Sequence, residues 1–299
     1  MKEYRISVIG AGAVGATTAY ALLLKNISAD ILLVDVNESR CAGEVLDLHD
    51  ILSFSKSSSI KIGTFAQAGQ SDIIIICAGA RQEPGQSRTE LLQANKKIIS
   101  GIISSMQPIN DNAIIIVVTN PLDVLVRHIL QQTKLPKSQI IGSGTFLDSQ
   151  RLRGLIGKRL GISQQSIHAY VLGEHGDSQF VAWSSAVVGG TCIKEIGMSQ
   201  EELEAIAQQA QQTAYDIIAC KGSTYYGIAT CVAEICQAII ADQRKIIPVS
   251  SYHEQYDVCF SLPSVIGRNG IEQIIDIPLD ANEQSELQKS INALKSLNN

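Results

Sequence analysis

Long apolar runs, clusters of one charge sign and paired cysteines are all scarce in this chain. The longest apolar run, Ile73 to Ala80, falls far short of the roughly 18 residues that span a bilayer, so no membrane-crossing segment is expected. The opening MKEYRISVIG lacks a signal-peptide pattern, and the expectation is a soluble, cytoplasmic protein. Lysine and arginine together number 24 against 29 acids, a net charge of −5. The basic residues are scattered, which argues against a nucleic-acid or anionic-membrane partner. The seven cysteines are odd in number and form no CxxC pair, so reduced thiols are expected. None of the five histidines stands at a ligand spacing from a cysteine or another histidine, so no metal is expected. Long Pro/Gly/Ser stretches are also missing, which disfavours disorder and flexible linkers.

What is present is a globular pattern: 45% hydrophobic and 18% charged residues over 299 positions, long enough for two lobes. Six Ile/Val-rich runs recur through the first half: Arg5–Ile9, Ile31–Val36, Ile60–Gly63, Asp72–Cys77, Ile114–Val118 and Gln139–Gly142. They show no polar alternation and are separated by longer segments, several of them helical in pattern, as expected for parallel strands covered on both faces. A doubly wound α/β sheet follows. From about residue 144 the pattern becomes α+β. Helices are expected near 148–160, 199–220, 225–242 and 282–297, and strands near 166–172, 183–188, 246–251, 257–262 and 271–277. Ser199 and Glu202 have capping-box spacing, and Arg268-Asn269-Gly270 has the composition of a hairpin turn. The division is placed between a dinucleotide-binding domain, 1–143, and a substrate and catalytic domain, 144–299.

Gly10-Ala11-Gly12-Ala13-Val14-Gly15 follows the first strand and opens a helical segment. Gly10 allows the tight turn, Gly12 lets a pyrophosphate approach the backbone, and Gly15 lets helix and strand pack closely. Asp35 ends the next strand, where a carboxylate can accept from ribose hydroxyls and repel a 2′-phosphate. This is a Rossmann fingerprint, and NAD is the expected cofactor.

Gly173-Glu174-His175-Gly176-Asp177 sets a histidine between glycines; alone, it reads as an ordinary loop residue. Asp148 and Arg151 lie at i and i+3 on one helix face. The aspartate can orient His175 and stabilise its imidazolium, and Arg151 can clamp a substrate carboxylate. The loop from Ala78 through Ala80, Gln82 and Arg88 follows a strand's carboxyl end. It has the composition of a lid that can close and bring Arg88 onto a reacting carbonyl. Asn120, before Pro121, closes a further strand where its amide can meet cofactor or substrate, although Asn-Pro is also a plain turn.

Taken together, these segments resemble the L-lactate/L-malate dehydrogenase family. The glycine fingerprint, AGARQEPGQSR, VTNP, LDSQR, GEHGD and KGSTYYGIA occur in the family's order across essentially the whole chain. The resemblance implies an NAD-dependent 2-hydroxy acid dehydrogenase with His175 as acid/base, Asp148 as its orienter, Arg151 as the carboxylate clamp and Arg88 as the carbonyl polariser. Asn120 would be a substrate and cofactor contact, and Thr224 a substrate-pocket residue. Val14 and Ala80 would join Gly10, Gly12, Gly15 and Asp35 on the cofactor. In this family the residue two places before the lid's proline faces the substrate's variable end. Here it is the neutral Gln82, which suits pyruvate and L-lactate; the second carboxylate of oxaloacetate would be left unpaired. Arg153 and His168 match positions that some bacterial relatives use for the activator fructose 1,6-bisphosphate, and a homotetramer is expected without an N-terminal arm. A malate dehydrogenase is the nearest rival and a noncatalytic NAD-binding protein the more distant one. A short-chain dehydrogenase is disfavoured, because no tyrosine has a lysine four residues later.

Overall fold

The computed structural model describes residues 4–27, 29–55, 59–80 and 88–298. The first half alternates β1 (Tyr4–Ile9), α1 (Ala13–Leu24), β2 (Ala29–Val34), α2 (Glu38–Asp50), β3 (Ser59–Ile62), α3 (Phe65–Gly69) and β4 (Ile73–Ile76). It continues with α4 (Arg88–Ser105), β5 (Ile114–Val117), α5 (Leu122–Gln132) and β6 (Ile140–Gly142). All six expected strands are present. They lie parallel in the order β3-β2-β1-β4-β5-β6, the doubly wound order whose direction of winding reverses between β1 and β4.

The absence of polar alternation has a direct cause. Along β4, Ile73 and Ile75 enter one core with Leu22, Leu23, Ile235 and Ile239, while Ile74 and Ile76 enter a second with Ile99, Ile103, Leu125 and Ile129. All four are fully buried, and each such side chain contributes about 1.5–3 kcal/mol relative to exposure.

The second half contains α6 (Phe146–Leu160), β7 (Ile167–His168), β8 (Val171–Leu172), β9 (Phe180–Val181), β10 (Val187–Val188) and β11 (Thr191–Cys192). After these come α7 (Gln200–Lys221), α8 (Tyr226–Ile240), β12 (Lys245–His253), β13 (Val258–Gly267), β14 (Gly270–Ile274) and α9 (Ala281–Asn298). Antiparallel β12, β13 and β14 extend the main sheet, to nine strands among the described residues, joined to β6 through the pair Ser250–Gly142. The capping box forms: Ser199 Oγ accepts from the Glu202 amide at 3.2 Å, and Glu202 accepts in return at 2.9 Å. At the β13–β14 turn Gly270 has φ +90° and lies against the Ser138 carbonyl, a place no side chain can enter.

One expected strand is corrected. Residues 183–188 begin as a 3-10 turn, Trp183–Ser185, and only Val187–Val188 pair. The Glu283 carboxylate accepts from both the amide and the hydroxyl of Ser184, and the Ser185 and Ala186 amides donate to the Ala182 and Trp183 carbonyls, so a side chain and turn bonds stand in place of a ladder. The span 166–172 is likewise divided into β7 and β8.

Candidate active site

The crevice at the β1/β4 switch point opens into a cavity of about 810 Å³ lined by Gly10, Gly12, Asp35 and Ala80 among others. Each fingerprint glycine has its own constraint. Gly10 has φ +101°, and a Cβ there would stand 2.7 Å from the Ala78 nitrogen; a Cβ on Gly15 would stand 1.8 Å from the Gly10 carbonyl oxygen. A Cβ on Gly12 would meet nothing within 4 Å, so its missing side chain keeps space open for a ligand. α1 starts with no side-chain cap and no acid in its first turn, which leaves the amides of Ala13, Val14 and Gly15 as donors for an anion. Asp35 is held by the Ala11 amide at 2.6 Å and the Asn37 amide at 2.8 Å, which fixes a carboxylate at the cavity wall. These residues fit a dinucleotide without a 2′-phosphate. The Ala80 amide already donates to Asn95 Oδ1 at 2.7 Å, so Ala80 offers its carbonyl and methyl to a cofactor.

The second half brings the expected catalytic groups together. Thr145 Oγ1 donates to the Val171 carbonyl at 2.5 Å, and Ser149 Oγ accepts from the Val171 amide at 2.9 Å. Two hydroxyls thus fasten β8 to the first turn of α6. Beyond β8 the chain turns at Gly173, φ +87°, where a Cβ would press on Ser290, and His175 arrives opposite Asp148. His175 Nδ1 lies 2.8 Å from Asp148 Oδ2, and an Arg151 guanidinium nitrogen donates to Asp148 Oδ1 at 3.0 Å. Burial alone would draw His175 down, but the charge and hydrogen bond of Asp148 prevail and raise it above the usual imidazole value. Burial opposes ionisation of Asp148 as well, yet His175 and Arg151 hold its carboxyl below the usual range. The pair is therefore biased toward carboxylate and imidazolium.

Three supporting residues were not anticipated. Asn95, buried in α4, spans two loops: its oxygen takes the Ala80 amide and its nitrogen donates to the Asn120 carbonyl at 2.7 Å. The Asn120 side chain is left exposed beside them, and Asn120 joins Pro121 through a cis bond. Asp123, in the first turn of α5, accepts from the His175 amide at 2.8 Å and from Ser250 Oγ at 2.5 Å. The available signal for Asp123 was a lone acid in the apolar run LDVLV; Asn95 and Ser250 carried none.

Thr224 sits between α7 and α8, half-buried; Gly227, just beyond it, packs on Leu147 of α6 next to Asp148. Arg88 opens α4, but its side chain and Gln82 lie outside the described residues. Arg153 and His168 are not at this site: they line a separate cavity of about 890 Å³. There the Arg153 guanidinium lies 5.0 Å from the Tyr170 ring and Nε donates to the Ala169 carbonyl at 3.0 Å.

Among the described residues no cluster of three metal-ligating side chains occurs, and no helix is long and apolar enough to cross a membrane.

Residues 4–142 match the NAD-binding domain of lactate/malate dehydrogenases, and residues 145–299 match their alpha/beta C-terminal domain. An L-lactate dehydrogenase A of Rhizopus oryzae is 44% identical over 294 residues, covering 98% of this chain and 92% of that protein. An L-lactate dehydrogenase of Halalkalibacterium halodurans is 38% identical over 301 residues, covering 99% and 97%. A crystal structure of a lactate dehydrogenase from a Medee basin deep-sea metagenome library superimposes with a TM-score of 0.95 at 34% identity, covering 99% of this chain and 98% of that one. The minor L-lactate dehydrogenase of Enterococcus mundtii, in a ligand-bound form, gives 0.95 at 33% identity, covering 99% and 97%. With the glycine cradle, the fixed acid and the histidine–carboxylate pair in place, the chain belongs to the lactate/malate dehydrogenase family, and within it to the NAD-dependent L-lactate dehydrogenases.

Proposed function

We propose that His175 is the acid/base of pyruvate reduction, oriented by Asp148, with Arg151 binding the substrate carboxylate. The observation that carries this reading is the chain His175–Asp148–Arg151, in which one buried carboxylate holds a proton donor and a carboxylate clamp side by side. When bound, the nicotinamide supplies or accepts the hydride. Gly10, Gly12, Val14, Gly15, Asp35, Ala80 and Asn120 hold that cofactor. Arg151 keeps one nitrogen on Asp148 and presents the rest of its fork to pyruvate's carboxylate. Arg88 polarises the carbonyl, Asn120 and Thr224 line the substrate pocket, and His175 Nε2 gives its proton to the carbonyl oxygen. Gln82, a neutral residue, is the selector that disfavours oxaloacetate.

The deciding assay is NADH oxidation with pyruvate and with oxaloacetate. Pyruvate is expected to be preferred, and Gln82→Arg to shift the preference toward oxaloacetate; equal kcat/KM values before and after that change would remove Gln82 as selector. His175→Ala is expected to retain NADH binding and lose turnover.

The division at 143/144 is kept as a functional one, with the cofactor held before it and the proton chemistry placed after it. Activation by fructose 1,6-bisphosphate is part of the proposal, supported by Arg153, His168, Arg244 and Lys245 around the second cavity. A KM for pyruvate unmoved by the activator across pH would exclude it. Exposed Leu46, Phe54, Tyr215 and Ile218 support assembly as a homotetramer. We place the enzyme in the cytoplasm, at the fermentative end of glycolysis.

A further inference from the structure

We infer that Asp123 is a positioning residue for proton transfer: its buried carboxylate ties the backbone of His175 to the helix that opens beside Asn120 and sets the charge around the imidazole. This rests on His175 being the acid/base.

Three elements converge on that one carboxylate. Asp123 belongs to α5, its Oδ2 takes the amide of His175 from the loop after β8, and its Oδ1 takes the hydroxyl of Ser250 on β12. Ser250 also makes the ladder pair joining β12 to β6. Asn120 stands three residues before Asp123, so a shift at either the cofactor-side loop or the histidine loop is felt at the other through a single side chain.

The charge has no structural necessity. An asparagine fits the same place, its oxygen accepting from His175 N–H and its NH₂ donating to Ser250 Oγ, whose own proton then turns away from residue 123. A carboxylate here instead carries the cost of burial, which pushes Asp123 up to about 6. Glu174 adds to that rise, while the bonds from Ser250 and His175 and the charge of His175 oppose it. Cys259 of β13 also faces the group, and its thiol is driven up first by burial and then by Asp123; Arg127 of α5 acts on that thiol in the opposite sense. Around the imidazole itself, Asp148 and Asp123 favour the protonated form and Arg151 of α6 disfavours it. A charge retained against its own desolvation, where a neutral isostere fits, points to function over stability.

The test uses the full-length enzyme with isotope-labelled histidine, so that the His175 ring is titrated by NMR and assigned with His175→Gln. Asp123→Asn is expected to lower the His175 titration, and with it the alkaline limb of pyruvate reduction, by about 0.5–1 pH unit. NADH affinity should stay within about twofold of the wild type. Asp123→Ala, which also frees the loop, is expected to cut kcat by about tenfold or more. An Asp123→Asn titration and pH profile that superimpose on the wild type would overturn the proposal, and this isosteric variant decides even if Asp123→Ala fails to fold. Full turnover in His175→Gln would instead remove the acid/base reading and the proposal with it. An inactive His175→Gln beside an unchanged Asp123→Asn rejects the positioning role alone.

Discussion

Replacing Asp148 by asparagine isolates the charge that biases His175. Asp148 is 3% exposed and serves two partners, His175 through one oxygen and Arg151 through the other. The amide keeps nearly the same shape, and its oxygen can still accept from Nδ1–H. On the His175 side the loss is the difference between a charged and a neutral hydrogen bond, about 1–2 kcal/mol, or about 0.7–1.5 pH units; on the other side the amide NH₂ replaces the oxygen that accepts from Arg151, so the KM for pyruvate is expected to rise as well. With Asp148 neutral, burial no longer has its main opponent, so His175 titrates lower. With His175 as the proposed proton donor, reduction of pyruvate needs the imidazolium, and its rate is expected to fall as pH rises through the His175 titration. The alkaline limb should therefore move to lower pH by about one unit, making reduction up to about tenfold slower at pH values above both titrations. Lactate oxidation needs the neutral ring, so the acid limb due to this ionisation should move the same way. Single-turnover NADH oxidation at saturating pyruvate between pH ~5.5 and ~9 reads the limb directly, and NADH fluorescence titration serves as the control. Coincident limbs in Asp148→Asn and wild type would refute the reasoning. So would a loss of NADH affinity as large as the loss in rate.

The glycine fingerprint separates folding from ligand binding: Gly15→Ala, against the Gly10 carbonyl, should cost about 1–3 kcal/mol in denaturant melts. Gly12→Ala, facing open space, should leave the unliganded Tm nearly unchanged and weaken NADH binding measured by calorimetry. Arg151→Gln should raise the KM for pyruvate by about tenfold or more while sparing NADH affinity, as steady-state kinetics with cofactor saturation will show. Asp123 also makes a stability prediction. Its carboxyl is raised from 3.8 to about 6 on folding, so the folded state binds the extra proton and loses stability as pH rises between those values. Asp123→Asn should therefore stabilise the protein by up to about 3 kcal/mol at pH ~7 and by little below pH ~4 in urea titrations; an equal gain at both pH values would contradict this.

The sheet was legible because its central parallel strands, β4 and β5 above all, are Ile/Val runs buried on two sides, a pattern that needs no knowledge of the partner strand; the edge strand β3 buries only Ile60. Edges were less legible. The strand expected near 257–262 continues to Gly267 through Pro263, which stands directly opposite Pro248. Such a pair survives in a ladder only at a non-hydrogen-bonded position, where neither residue is asked for an N–H. At the site, His175, Asp148 and Arg151 were readable because two of them share a helix turn and the third lies in a glycine-flanked loop. Asp123 and Ser250 were not, since the groups they hold are 52 and 127 residues away, and nothing local marks such a contact.

Asn95 bears on how this enzyme can be re-engineered. Its side chain is engaged at both ends by main-chain groups, one after β4 and one after β5, so the two loops share a single adapter on a third element. A loop beginning at Ala78 and transplanted from a relative of different specificity will be seated correctly only if its first turn offers an amide to Asn95. A graft that ignores this residue will displace Asn120 without touching it. The exchangeable unit is therefore the loop together with the first two turns of α4.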